Sequence, residues 1–333
     1  MITRFDHQEG DAIAGRQMDA VVIERFGGVE ELTHRRLPVP EVGDDDVLVR
    51  VQFAGVGSWD AVERAGEYDG VFGVPSAFPY VLGWDAAGTL AAVGRNVARF
   101  DVGDRVYAAA TMPVLRGGFY AEYAVVEAEH VARVPERVPT DQAGAMAWDA
   151  LTALSGLDTL GLRPGDTLMV FGASGGIGHV ALQLARLQGV RLLAVASGDD
   201  GVALARRLGA DAVVDGRRED VLAAASGFAP GGLDAALVTA GGETAQRSLR
   251  AVKASGHIAL PNGVPPTGRA STSATLTYYD ADRSRAATDR LNALIDAGSF
   301  EVHLARTFPQ QRARDAHLAL HDHYIGKLAL RVR

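Results

Sequence analysis

The chain of 333 residues contains no cysteine. Disulfides, cysteine nucleophiles and thiolate metal sites are thereby excluded. Positive charge is in short supply too: 33 lysines and arginines stand against 41 aspartates and glutamates, for a net charge of −8. That balance gives no footing to a non-specific nucleic-acid or anionic-membrane surface. No apolar run is long enough to span a bilayer and no secretory signal precedes the first strand-like stretch, so the expectation is a cytoplasmic protein with neither nucleic acid nor membrane as partner. Hydrophobic content of 47% with 22% charged residues reads as soluble and globular, and the length suffices for two domains with real cores.

What is present is organised around one stretch, TLMVFGASGGIG, from Thr167 to Gly178. Leu168 to Phe171 is a short apolar run suited to a buried parallel strand. It leads into Gly172, Ala173, Ser174, Gly175, Gly176, Ile177 and Gly178, after which Val180, Leu184 and Leu187 fall at helical spacing. Glycines on a strand-to-helix turn let a pyrophosphate rest on free backbone N–H groups at a helix N-terminus. Gly172 permits the tight turn, Gly175 lets the backbone approach the phosphates, and Gly178 lets helix and strand pack closely. A glycine triplet alone also fits an ordinary turn; strand, turn and helix in order make the dinucleotide reading the stronger one.

Taken in order, residues 1–17 are polar and aperiodic and read as an extension, with Met18 as a second plausible start. From Ala20 short strands separated by Gly, Pro and Asp run to about Pro139, the pattern of a small barrel-like β domain. Asp141 to Leu160 is alanine-rich and helix-like, with Thr140 as its expected N-cap. Strands at 167–173, 191–197, 211–215, 233–240, 256–261 and 274–279 alternate with helices at 177–188, 200–208, 218–226 and 243–252. That alternation implies a parallel sheet with helices on both faces. Helices near 283–297 and 310–321 and a strand at 327–332 close the chain.

The motifs VLVRVQFAGVGSWD (47–60), GWDAAGTLAAVG (83–94), VGDRVYA (102–108), GGFYAEYAVV (117–126), LRPGDTLMVFGASGGIG (162–178), RRLGADAVVD (206–215) and GKLALRV (326–332) together resemble one family. It is the zinc-independent, quinone-oxidoreductase-like (zeta-crystallin-like) branch of the medium-chain dehydrogenase/reductase superfamily. The resemblance implies an α/β fold in which a doubly wound parallel Rossmann sheet, residues 140–279, is inserted into a mostly β, GroES-like barrel domain of residues 18–139 plus 280–333. It also implies an active site in the cleft between the domains, and a homodimer paired along the last Rossmann strand, Thr275 to Tyr279.

Zinc-dependent relatives hold their metal at positions that here are Gly57, Trp84 and Ala147, none of which binds zinc. The four-cysteine structural lobe is missing as well, since the loop Ala109 to Gly118 is short. The nine histidines lack ligand spacing, and each is read as a surface or helix-capping residue. Without a Lewis acid, simple alcohol oxidation loses its means of stabilising the alkoxide. Hydride delivery to a conjugated electrophile needs only hydrogen bonds to the enolate.

The acid that usually accepts the ribose hydroxyls at the end of the second strand is replaced by Ala196, followed by Ser197 and Gly198. Ser197, with Arg217 and Arg218 past the third strand, is placed to meet a 2′-phosphate, which favours NADPH over NADH. Asp199 and Asp200 keep a ribose-facing acid open as the alternative. Ala240 after the fourth strand and Asn262 with Gly263 after the fifth complete the expected cofactor set. Thr152 matches a family threonine near the nicotinamide.

The family's asparagine and tyrosine of the AGV loop are here Gly57 and Val62, so the usual proton donor is absent. Trp59, Asp60, Tyr68 and Trp84 remain as wall or catalytic candidates, with a structural hydrogen-bonding role for Asp60 and core packing for Trp84 as the alternatives. Tyr278 and Tyr279 are expected to pack at the dimer edge. The resulting expectation is a metal-free, NADPH-dependent reductase of a planar, conjugated quinone or α,β-unsaturated carbonyl. The alternatives are a tailoring reductase acting on a polyketide-like intermediate and a nucleotide-binding protein with little turnover.

Overall fold

The computed structural model describes residues 15–71, 73, 75–110, 118–264 and 273–332. Of the expected extension 1–17, residues 1–14 lie outside the described residues, and Gln17 already pairs with Pro38. Most of the short loop between Ala109 and Gly118 lies outside them too. The chain divides into two compact units, Met1–Trp148 with Leu304–Arg333, and Asp149–His303.

The first unit begins with β1 (Gln17–Ile23), β2 (Thr33–Pro38), β3 (Asp46–Val56), β4 (Tyr80–Val81), β5 (Asp85–Val93), β6 (Arg105–Ala109), β7 (Tyr123–Glu127) and β8 (Val131–Arg133). β1 is the middle strand of a small sheet ordered β2-β1-β4. The alternating valines of β3 make it the spine of the larger sheet: it pairs antiparallel with both β5 and β7, and Val47, Leu48, Val49 and Val51 are all buried. Both faces of this strand are covered, which is why its sequence shows mixed rather than cleanly alternating polarity. The helix Ser58–Ala65 follows β3 directly and ends at Gly66, whose φ of 91° terminates it.

The second unit holds β9 (Thr167–Phe171), β10 (Arg191–Ala196), β11 (Ala212–Asp215), β12 (Leu233–Val238), β13 (Val252–Pro261) and β14 (Thr275–Tyr279). All neighbouring pairs are parallel, in the order β11-β10-β9-β12-β13-β14. This is the doubly wound order, and its topological switch point lies between β9 and β12. Every residue of β9 is buried, as the apolar run Leu168 to Phe171 requires. Helices Gly176–Leu187, Gly198–Arg207, Val221–Phe228 and Glu243–Ser248 connect successive strands.

The chain closes with β15 (Leu304–Pro309) and β16 (Lys327–Arg331); β16 pairs antiparallel with β3, joining the C-terminal segment to the first unit's larger sheet. One expectation is corrected. The helix read over 141–160 is two helices, Thr140–Ala143 and Ala147–Leu160. Pro139, not Thr140, stands at the first N-cap, where a fixed extended backbone replaces a side-chain cap.

Candidate functional site

The expected cofactor residues all lie at the carboxyl ends of the parallel strands. Gly172 follows β9, Ser197 follows β10, Arg217 lies two residues past β11, Ala240 two past β12, and Asn262 with Gly263 follow β13. In an open α/β sheet this edge at the switch point is where ligands bind. Gly172 has φ 84°, which an L side chain rarely adopts. A Cβ on Gly178 would lie 2.1 Å from the Gly172 carbonyl oxygen, so the helix sits on the turn at a distance only glycine allows. Gly175 differs: its φ is −84°, and an added Cβ would meet only the Gly172 oxygen, at 3.4 Å. The space beyond Gly175 is therefore open, next to the first N–H groups of the Gly176–Leu187 helix, which have no carbonyl partner within the helix. Open space, free donors and a helix dipole fit a pyrophosphate.

The turn is braced by a histidine. His179 is fully buried; its Nδ1 lies 2.8 Å from the Gly175 carbonyl, and its Nε2 accepts the His303 N–H at 3.1 Å. Both contacts are satisfied by a neutral ring protonated on Nδ1. Gln183, one turn on, bonds the carbonyl and N–H of Glu301. The expectation that each histidine sits at the surface or caps a helix is corrected here and at His317, which is also fully buried.

At the second strand end, Ser197 is the N-cap of Gly198–Arg207 but makes no side-chain capping bond. β10 and β11 pair in register at Ala196 and Asp215, which brings the residues after them side by side. Arg218 is engaged with Asp199 at 2.6 Å. Asp200 accepts the Gly201 N–H. Among the described residues no partner faces the Arg217 guanidinium, which is exposed. Asn262 spends its side chain on Asp280 and its N–H on the Tyr279 carbonyl. The two tyrosines expected at one edge separate: Tyr278 is 46% exposed, whereas Tyr279 is buried with its hydroxyl against Gly156. Thr152 is buried in the Ala147–Leu160 helix of this unit.

In the first unit, Asp60, Tyr68 and Trp84 converge around a residue that sequence reasoning missed, Glu63. Asp60 is buried, and its Oδ2 accepts the Gly57 N–H at 2.8 Å, fastening the start of Ser58–Ala65. Burial above all, with Glu63 and Asp85 nearby, pushes the Asp60 carboxyl well above the carboxylate range against the pull of the Gly57 N–H and Lys327. Glu63 is buried too: Tyr80 Oη donates to its Oε1 at 2.6 Å and Trp84 Nε1 to its Oε2 at 2.7 Å. Burial outweighs these two donors and raises the carboxyl to about 7. Trp84 is itself only 2% exposed, with the half-buried rings of Tyr68 and Trp148 edge-on to it at 5.8 and 4.6 Å. Burial also lifts the Tyr68 hydroxyl to about 12, so it stays protonated at neutral pH. At the end of the same helix, Arg64 Nη1 donates to His317 Nδ1 at 2.7 Å, and burial and the guanidinium drive that imidazole down to about 3.

Two family models match the chain: an alcohol dehydrogenase GroES-like domain over residues 43–136 and a zinc-binding dehydrogenase over 176–279. Alcohol dehydrogenase 1 of Emericella nidulans is 30% identical over 278 residues, covering 74% of this chain and 76% of the relative. The chain belongs to the medium-chain dehydrogenase/reductase superfamily. It falls in the quinone-oxidoreductase-like branch. A chloroplastic NADPH-dependent alkenal/one oxidoreductase of Arabidopsis thaliana is 28% identical over 96% of this chain and 81% of its own. The solved quinone oxidoreductase of Coxiella burnetii superposes with a TM-score of 0.82 at 25% identity, over 96% of this chain and all of that one.

The zinc-position residues of this chain are Gly57, in extended backbone, and the buried Trp84 and Ala147. Among the described residues, one group of His and carboxylate atoms comes within ligating distance, Glu127, Glu129 and His130 on a surface turn remote in sequence from those positions. Glu63, Trp148 and His179 carried no motif signal. Each is defined by a partner that only folding brings near.

Glu63 makes a signed prediction. Its folded carboxyl titrates above its unfolded value, so between about pH 4.5 and 7 the folded chain holds the proton that the unfolded chain has lost. Stability from this group is therefore lost as pH rises through that window. Urea unfolding at pH 4 and pH 8 should show Glu63→Gln gaining on wild type by up to about 3 kcal/mol across the window. A gap that does not change with pH would show that Glu63 titrates normally.

Proposed function

We propose that this protein is an NADPH-dependent reductase of quinones or α,β-unsaturated carbonyls that works without a metal. The observation that carries the reading is the strand-end constellation around Gly172–Gly178, with open space at Gly175 and an unpartnered Arg217 beside Ser197. The names of the Arabidopsis and Coxiella relatives point to the same chemistry. When bound, NADPH supplies a hydride to the electrophilic carbon of the substrate. The backbone from Gly172 to Gly178 holds the pyrophosphate, and Ser197 with Arg217 holds the 2′-phosphate. The charge of Asp199 is balanced by Arg218. Backbone groups of Asn262 and Gly263 take the carboxamide, and Thr152 lies beside the nicotinamide. Tyr68 Oη, a phenol whose hydroxyl burial makes still harder to ionise, donates a hydrogen bond to the developing enolate oxygen or relays a proton from water. Asp60 acts structurally, through the Gly57 N–H.

Cofactor titrations test the two phosphate contacts separately. Gly175→Val fills the open space with a branched side chain and should weaken NADPH by roughly 2–4 kcal/mol, the scale of a few charge-assisted hydrogen bonds, with the fold intact. Ser197→Asp should weaken NADPH far more than NADH. Normal NADPH binding by a folded Gly175→Val protein would remove the turn as the phosphate site. An unchanged NADPH/NADH ratio in Ser197→Asp would remove only the cofactor preference.

Gly57, Trp84 and Ala147 offer no zinc ligand. Protein treated with a chelator should keep its cofactor affinity and turnover; stoichiometric zinc lost together with activity would contradict the metal-free reading. The third expectation is a homodimer. Among the described residues β14 is an edge strand with Tyr278 exposed on it, and an edge of this kind invites pairing across a two-fold axis. Light scattering at micromolar concentration should return twice the chain mass of 35.0 kDa, and a monomer would count against it.

A further inference from the structure

Three aromatic rings of the first unit meet, with Trp84 in contact with both Tyr68 and Trp148. Trp84 precedes β5 and is nearly inaccessible at 2%. Its indole N–H is fixed by Glu63 Oε2, while the other oxygen of the same carboxyl is taken by Tyr80. Asp85, the next residue, accepts the Trp148 N–H at 3.4 Å, so the start of one strand sets both the Trp84 ring and the beginning of the Ala147–Leu160 helix. Tyr68 lies three residues past the end of the Ser58–Ala65 helix, which also carries Glu63. Both outer rings stand edge-on to Trp84, at interplanar angles of 63° and 75°, and both are only partly buried.

We propose that Trp148 and Tyr68, buttressed by Trp84, present a ring-binding surface that selects substrates whose conjugated carbonyl is fused or joined to an aromatic ring, and that Glu63 is the positioning residue that holds this surface in place. The proposal rests on the reductase reading and narrows its substrate class. Two edge-on rings over a fixed indole offer a planar ligand offset and edge contacts that an aliphatic chain cannot use fully. Trp84 is thus a support and not itself the floor. A buried carboxyl is costly, and here both of its oxygens meet donors, one of them the indole N–H of Trp84.

The test compares menadione, a naphthoquinone, with hexenal, an aliphatic enal. Wild type should show the lower KM for menadione. Trp148→Ala should raise the menadione KM about tenfold, the size of one lost ring contact, with a much smaller rise for hexenal. Trp148→Phe should recover most of the loss. Glu63→Leu should raise the menadione KM with less effect on kcat, and Glu63→Gln, which still accepts from the indole, should restore it. Equal KM changes for both substrates in Trp148→Ala, or no rescue by Glu63→Gln, would overturn the proposal. Menadione quenching of tryptophan fluorescence without cofactor separates the two levels, since two of the chain's three tryptophans lie in the cluster. Saturable quenching that Trp148→Ala weakens, in a protein that reduces neither substrate, would sink the reductase reading and leave the ring surface standing. Absence of saturable quenching would sink the ring surface itself. Circular dichroism melts exclude variants that have not folded.

Discussion

Everything assigned to the second unit depends on one close approach, that of Gly178 to the carbonyl of Gly172. Any side chain at 178 would place its Cβ 2.1 Å from that oxygen. Because the approach is permitted, the Gly176–Leu187 helix starts directly over the end of β9, and its free N–H groups and dipole face the edge where the strand order reverses. His179 then ties Gly175 to His303, which braces the turn against a second segment of the same unit. A phosphate-binding turn works by presenting donors already in place, and a braced turn pays less to order itself around an anion.

The first unit solves a different problem. Its polar interior, Asp60, Glu63, Arg64 and His317, is buried but almost fully engaged, and burial shifts each group more than neighbouring charge does. The Ser58–Ala65 helix carries three of these four residues. It joins the strand that ends in the AGV motif to an aromatic cluster on one side and to the C-terminal segment, through His317, on the other. Its N-cap and its interior hold the two positions where the family resemblance leads one to expect an asparagine and a tyrosine. The chain has Gly57 and Val62 there and a buried carboxyl, Glu63, next in line.

The parallel sheet was legible because its signals are local: a fully apolar β9, glycines at a strand end and helical spacing after them. Strand ends were read one or two residues too long where the turn continues an apolar pattern, as at 167–173 against Thr167–Phe171. The break at 143–147 was hidden because alanine-rich sequence runs through it without a proline or a polar cluster. That the candidate cofactor residues lie at the carboxyl ends of the strands was legible from strand order alone. The Glu63–Trp84 bond, across 21 residues, and the Arg64–His317 bond, across 253, were not. A glutamate in an amphipathic helix reads as solvated until a tryptophan from another element is folded onto it. Trp148 was missed for the same reason, since it sits one residue past the Ala147 position that the family motif singled out.

The proposed function stands or falls on hydride transfer from NADPH to a conjugated carbon. The most direct measurement follows deuterium from NADPH labelled at C4, on each face in turn, into the product of benzalacetone reduction in the presence of EDTA. The account predicts that label from one face appears at the carbon β to the carbonyl, with the proton at the α carbon coming from water. NADPH that survives unoxidised, or product without deuterium from either face, would contradict it.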